Sequence, residues 1–173
     1  MSARASTVTL RAPRAADRTR VAEMVEAAGV FRPDEVDVAL EVFDDAVTQP
    51  GVDYHALGAY DDDRLVGYTC CGPTPCTVHT WDLYWIVVDP AAQRLGVGQS
   101  LMAATEDAIR DRGGRLVVVE TSSRADYGPT RAFYEALLYV RAAHIPEYYA
   151  PADDLVVFTK QLAPPTAETA PHG

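Results

Sequence analysis

The chain alternates short β-rich runs with stretches whose apolar residues recur at helical spacing. Residues 7–11 (TVTLR) alternate polar and apolar positions and read as a short first strand. Asp17 is an N-cap residue type, and Val21, Met24, Val25 and Ala28 then recur at helical spacing until Gly29. A second helix is predicted from Pro33, with Asp34 and Glu35 complementing the positive end of its dipole. Its stripe is Val36, Ala39, Leu40, Phe43 and Val47, and Pro50-Gly51 ends it. Residues 54–60 and 64–71, joined by Asp61-Asp62-Asp63, form an antiparallel hairpin whose second strand is broken by Pro73 and Pro75. Residues 81–88 (WDLYWIVV) are too apolar for an edge strand and are placed centrally. Period-two alternation would put Asp82, Tyr84 and Ile86 on one face and Trp81, Leu83 and Trp85 on the other.

A helix follows over about residues 96–112, closed by Gly113-Gly114. Residues 115–121 (RLVVVET) read as a buried strand, 130–138 as a short helix, and 140–145 and 154–162 as the last two strands. The order β-α-α-β-β-β-α-β-α-β-β is mixed α/β, with the strand-helix-strand unit at 81–121 parallel. No linker divides it, so one domain is expected over residues 5–162, with a disordered tail at 163–173.

Composition narrows the function. With 173 residues, 48% hydrophobic and 23% charged, the chain is that of a globular domain and not of a fibrous or disordered protein. Fifteen basic residues against 25 acidic ones give a net charge of -10, which argues against nucleic acid as a partner. No apolar run approaches the ~20 residues that span a bilayer, so no membrane association is expected. The first 20 residues lack the apolar middle of a signal peptide. Three clustered cysteines, Cys70, Cys71 and Cys76, suit a reducing compartment, and the expected location is cytoplasmic. With His79 they suggest zinc, but adjacent strand cysteines point to opposite faces, and no metal site is assigned.

The stretch Gln93-Arg94-Leu95-Gly96-Val97-Gly98-Gln99-Ser100 carries the most chemical information. Two alternating glycines open a helix a few residues after a buried strand ending Ile86-Val87-Val88. The first N–H groups of a helix lack intrahelical partners and can cradle a phosphate, and Arg94 can add a charged contact. A Walker A loop is excluded, since the only lysine is Lys160. A dinucleotide site remains a rival, with Glu120 ending the next strand about 20 residues on. Against it, Leu101 stands at the third glycine position and seven residues separate Val88 from Gly96. Alternatively, Gly96 and Gly98 only shape a tight turn.

Gln93-x-x-Gly96-x-Gly98 after Val-Asp-Pro resembles the acetyl-CoA pyrophosphate loop of the GNAT superfamily of N-acetyltransferases, whose pattern is Q/R-x-x-G-x-G/A. Thr130-Arg131-Ala132-Phe133-Tyr134-Glu135-Ala136-Leu137 is similar to that family's A-x-x-(F/L)-Y-E-x-L-G-F helix, and the element order agrees over nearly the whole chain. Leu138-Tyr139 replaces the family's Gly-Phe, and Tyr127 stands where an Asn often contacts the pantetheine arm.

The resemblance implies a GNAT-like fold: one α+β domain with a mixed, mostly antiparallel sheet flanked by helices. It implies attack of a primary amine, on a small molecule or peptide, on acetyl-CoA as co-substrate in a ternary complex. Tyr134 matches the general acid that protonates the leaving thiolate. The backbone of Ile86, Val87 and Val88 would meet the pantetheine amides and the oxyanion, and Gln93 to Ser100 the pyrophosphate. Asp82 and Glu120, or a water chain, are the candidates for general base; His79 and His144 are weaker ones. Phe31, Tyr148 and Tyr149, with Asp153 and Asp154 nearby, are the expected wall of a site for a partly apolar, cationic acceptor. Dimers are frequent in the family, so a homodimer is among the implied assemblies. Two other functions fit the same residues: a non-catalytic acyl-CoA-binding module, and an NAD(P)-dependent oxidoreductase.

Overall fold

A computed structural model describes residues 8–93 and 95–163. Seven strands, β1 (Thr9–Arg11), β2 (His55–Asp61), β3 (Arg64–Pro73), β4 (Thr80–Val88), β5 (Leu116–Ser122), β6 (Val140–Ala150) and β7 (Asp153–Gln161), form one sheet. Their spatial order is β1-β2-β3-β4-β5-β7-β6, and only the β4–β5 pair is parallel. The apolar run at 81–88 is central as expected, because only a central strand can bury both faces. Thr7, the tail from residue 164 on and Arg94 lie outside the described residues.

Helices α1 (Arg18–Ala28) and α2 (Pro33–Thr48) cover one face of the sheet, and α3 (Val97–Asp111) and α4 (Gly128–Ala136) the other. Val21, Met24, Val25, Ala39 and Phe43 pack on Tyr60, Tyr68, Cys70 and Val87. On the opposite face Met102, Ile109 and Tyr134 pack on Cys71, Trp81, Leu83, Val117, Val119 and Phe158. Cys70 and Cys71 thus point to opposite faces, as adjacent strand residues must. No helix among the described residues is long and apolar enough to cross a membrane.

Several boundaries differ from the sequence reading. Pro73 closes β3 instead of interrupting it, paired with Trp81 at the last position of the strand. Strand β6 runs to Ala150, five residues beyond the expected end, as the open edge of the sheet. Helix α4 begins two residues early and stops at Ala136, because Leu138 adopts a left-handed φ of 66° and the Tyr139 amide donates back to Tyr134 O at 3.0 Å.

The largest departure is in β4. Cys70 pairs with Trp85 and Cys71 with Leu83, so Tyr84 is an extra residue and the strand is bulged there. The bulge reverses the alternation. Trp81, Leu83 and Ile86 face α3 and α4, whereas Trp85 and Val87 face α1 and α2. The expected grouping of Ile86 with Asp82 and Tyr84 is therefore corrected.

Candidate active site

The parallel β4–β5 pairing covers only Thr80–Leu83 against Leu116–Val119. Beyond it the two strands part. The β5-facing N–H and C=O groups of residues 84–88 have no strand partner, and β5 continues past Glu120 paired only to β7. A wedge in the centre of the sheet is left open, and two cavities occupy it.

The first cavity, about 440 Å³, lies over the glycine loop and is lined by Ile86, Val88, Gln93, residues 96–99, Pro129, Thr130 and Phe133. Gly96 caps α3 in the left-handed region at φ 77°, a conformation that favours glycine. The first intrahelical bond is Ser100 N to Gly96 O at 3.0 Å, so the N–H groups of Val97, Gly98 and Gln99 precede the helical ladder. Gly98 serves packing: a Cβ there would stand 3.3 Å from the Phe133 ring of α4. Gln93 is held by the strand end, its Nε2 donating to Val88 O at 3.4 Å. The loop is further fixed by Asp89, which accepts from Ala91 N at 2.9 Å and pairs with Arg20 of α1. This cavity suits an extended ligand with a phosphate at one end: amide donors at the helix start, apolar walls at Ile86, Val88 and Phe133, and unpaired backbone along β4. Leu95 and Ser100 are exposed beside it without lining it.

The second cavity, about 230 Å³, shares Ile86 and Thr130 with the first. Its walls are Phe31, Tyr84, Trp85, Tyr127 and Tyr149, and its charged groups are Arg32, Glu35, Glu120, Arg124 and Asp153. Phe31 meets Trp85 and Tyr127 edge-on, with ring centroids 5.3 and 6.4 Å away. Glu120 stands on the parted stretch of β5. Burial, then the charge of Asp82, holds its carboxyl above the usual range. Asp82 accepts from Thr74 Oγ1 at 2.7 Å and lines neither cavity.

Tyr134 lines the aromatic cavity one helical turn along α4 from the shared Thr130, its side chain buried against Tyr139 and Phe158. Burial, and then Tyr127, pushes its phenol above the ordinary value, so it remains a proton donor at neutral pH. Tyr127, which the resemblance put beside the cofactor arm, lines the aromatic cavity and not the loop cavity; burial raises its phenol to about 12. Val87 is buried in the α1–α2 core, leaving only its backbone to meet a ligand.

Phe31, Tyr149 and Asp153 line the aromatic cavity as anticipated, but Tyr148 and Asp154 do not. Asp154 instead bonds His144 at 2.6 Å and the Glu147 amide at 2.8 Å on the surface. His79 lies in the β3–β4 turn, its carbonyl bonded to Arg115. Neither histidine lines the loop cavity or the aromatic cavity; His144 and Asp154 border a separate open cleft with Ser123, Arg131 and Arg141. Trp85 and Thr130 were missed: Trp85 turns inward because of the bulge, which has no sequence signal. Among the described residues no group of three His, Cys, Asp or Glu side chains is placed to hold a metal ion.

Comparison with known proteins agrees with this geometry. Residues 21–138 match the acetyltransferase (GNAT) family. A GNAT-family protein from Desulfovibrio desulfuricans is 38% identical over 91% of this chain and all of its own, with a TM-score of 0.87. The ribosomal-protein-S18-alanine N-acetyltransferase of Escherichia coli shares the fold at 19% identity, TM-score 0.72, over 95% and 99% of the two chains. So does yncA of Salmonella typhimurium, solved with its cofactor acetyl-CoA, at 21% identity, TM-score 0.71, over 92% and 96%. No curated protein sequence matches the chain. The chain belongs to the GNAT acetyltransferase family, and acetyl-CoA is its co-substrate.

Proposed function

We propose that the protein is an N-acetyltransferase that moves an acetyl group from acetyl-CoA to a primary amine of a small molecule or peptide by direct attack in a ternary complex. The observation that carries this reading is the meeting of the two cavities at Ile86 and Thr130, inside the gap where β4 and β5 part. One cavity suits a phosphate-bearing arm and the other a cationic amine, and Tyr134 lines the amine side one helical turn from the shared Thr130.

The N–H groups of Val97, Gly98 and Gln99 hold the pyrophosphate, helped by Arg94, with Gln93, Leu95, Gly96 and Ser100 completing the loop. The backbone of Ile86, Val87 and Val88 holds the pantetheine arm and offers a donor to the developing oxyanion. Acetyl-CoA supplies the acetyl group, activated as a thioester. Glu120 removes the proton that an ammonium carries at neutral pH, with Asp82 acting behind it by raising its basicity. Tyr134 delivers a proton to sulfur. Overall an N–H bond is replaced by N–C and the thioester C–S bond by S–H, so the products are the acetamide and free CoA. Tyr127 contributes to the amine side.

The domain that carries this activity spans residues 5–162. The three unpaired cysteines support a cytoplasmic location. The -10 charge supports an amine acceptor over nucleic acid or an anionic membrane. Two copies of the chain associate through β6, where Val140, Ile145 and Tyr148 are all exposed along the open sheet edge. Sedimentation tests this: the expected dimer becomes a monomer in Ile145→Glu, which puts a charge in the exposed apolar edge, and a monomeric wild type removes the dimer alone.

A thermal-shift comparison followed by an assay of CoA release tests the main reading. Stabilisation by acetyl-CoA and not by NAD(P), with amine-dependent release of CoA, is the expected result. Stabilisation by NAD(P) alone points to the oxidoreductase, and binding without turnover on any amine points to a regulatory module.

A further inference from the structure

The charges around the aromatic cavity are not equally free. Arg32 lies 3.4 Å from Asp34 and 3.7 Å from Glu35. Arg124 donates to Asp126 at 3.1 Å and to the Val30 carbonyl at 2.5 Å, and lies 4.0 Å from Asp153. Asp153 is buried and also accepts from the Ser122 hydroxyl. Glu120 alone among these groups has no ion-pair or hydrogen-bond partner within the described residues. The site therefore offers one free negative charge and, around it, the rings of Phe31, Trp85, Tyr127 and Tyr149.

Size adds a second constraint. The cavity holds about 230 Å³, including the end shared with the loop cavity at Ile86 and Thr130. Pockets for drug-sized ligands run from about 300 to 1,000 Å³. A second ammonium on the acceptor would find only Glu35 and Asp153 as further carboxylates, each already held by an arginine, and burying it there without a free carboxylate is unfavourable. An apolar substituent, by contrast, exchanges water for ring surface, and a single ammonium gains Glu120 together with cation–π contact.

We infer that the acceptor is a compact primary monoamine carrying one aryl or short alkyl group, its nitrogen at Glu120 and its apolar group between Phe31 and Trp85. This rests on the acetyl-transfer reading and narrows it: polyamines and multi-ring aminoglycosides are disfavoured by their extra charges, and peptide N-termini by lacking a group that fills the space between the rings.

The test measures CoA release from acetyl-CoA with 2-phenylethylamine, benzylamine and n-butylamine, against spermidine, kanamycin and a peptide with a free N-terminal alanine. The monoamines should exceed the others in kcat/KM by about 100-fold. Phe31→Ala should lower kcat/KM for 2-phenylethylamine by about 10- to 100-fold while changing that for methylamine far less, since methylamine has no group to place between the rings. The acetyl-CoA thermal shift of the variant should match the wild type, which also reports that it folds; if it does not fold, Phe31→Leu replaces it and should retain alkylamines while losing arylamines. Faster turnover of spermidine, kanamycin or the peptide overturns the substrate class and leaves acetyl transfer standing. Absence of CoA release with every amine overturns both.

Discussion

Asp82 and Glu120 stand on adjacent parallel strands, Asp82 opposite Val118 and Glu120 two residues further along β5. Asp82 is tied to Thr74 Oγ1 at 2.7 Å, while Glu120 opens into the aromatic cavity with the charge of Asp82 behind it. The pair divides the work of two carboxylates: one is fixed by a hydrogen bond and the other is left free and made more basic.

That arrangement has a consequence for pH. Burial and Asp82 raise the Glu120 pKa above 4.5, so the native state binds this proton more tightly than the unfolded chain. Stability is lost as pH rises from the unfolded value through the native one. Glu120→Gln should therefore raise Tm at pH 7–8 and leave it nearly unchanged near pH 4, where both forms are neutral. The same variant should remove the acidic limb of the kcat/KM profile and lower kcat by about 100-fold or more. A Tm gain without loss of turnover would assign the base elsewhere.

Tyr134 is packed against Tyr139 and Phe158, and its ring is kept in Tyr134→Phe. Stability and acetyl-CoA affinity should change little, while kcat falls by about 10²-fold through loss of the proton donor. Unchanged turnover would remove the acid assignment.

Leu138 occupies a left-handed turn at φ 66° and is 78% exposed, so its side chain contributes little packing to offset the strain. A left-handed L-residue costs about 1–2 kcal/mol, and glycine returns part of that as backbone entropy. Leu138→Gly should raise Tm by a few degrees, about 2–4 °C per kcal/mol for a chain of this size, with no change in kcat. A lower Tm would mean that the leucine packs usefully after all, for example within a dimer.

Lys160 Nζ lies 2.8 Å from Glu106 Oε2, and the Tyr139 hydroxyl donates to the other oxygen at 3.0 Å. This network joins α3, β7 and the turn after α4. Lys160→Met leaves Glu106 buried with only the tyrosine, and should destabilise by about 3 kcal/mol by thermal or urea unfolding. The double variant Lys160→Met with Glu106→Leu should recover much of that loss, because it removes the stranded charge.

The amino-acid sequence determined the element order, the central place of β4, the parallel β4–β5 unit and the glycine loop that opens α3. Each depends on local signals: continuous apolar runs, helical spacing, and glycines at a helix start. Tyr134, Glu120 and Phe31 stand out as candidates for the same reason, since each sits in or beside such a signal, and all three line the aromatic cavity. The tertiary structure decided the rest. The bulge at Tyr84 arises from pairing between strands, and it alone turns Trp85 into the aromatic cavity and Ile86 toward α4. The parting of β4 and β5, the neutralisation of Arg124 by residues near and far in sequence, and the isolation of Glu120 depend on which strands and loops become neighbours. Side-chain chemistry is written locally, but whether a charge is free or paired is set by long-range packing.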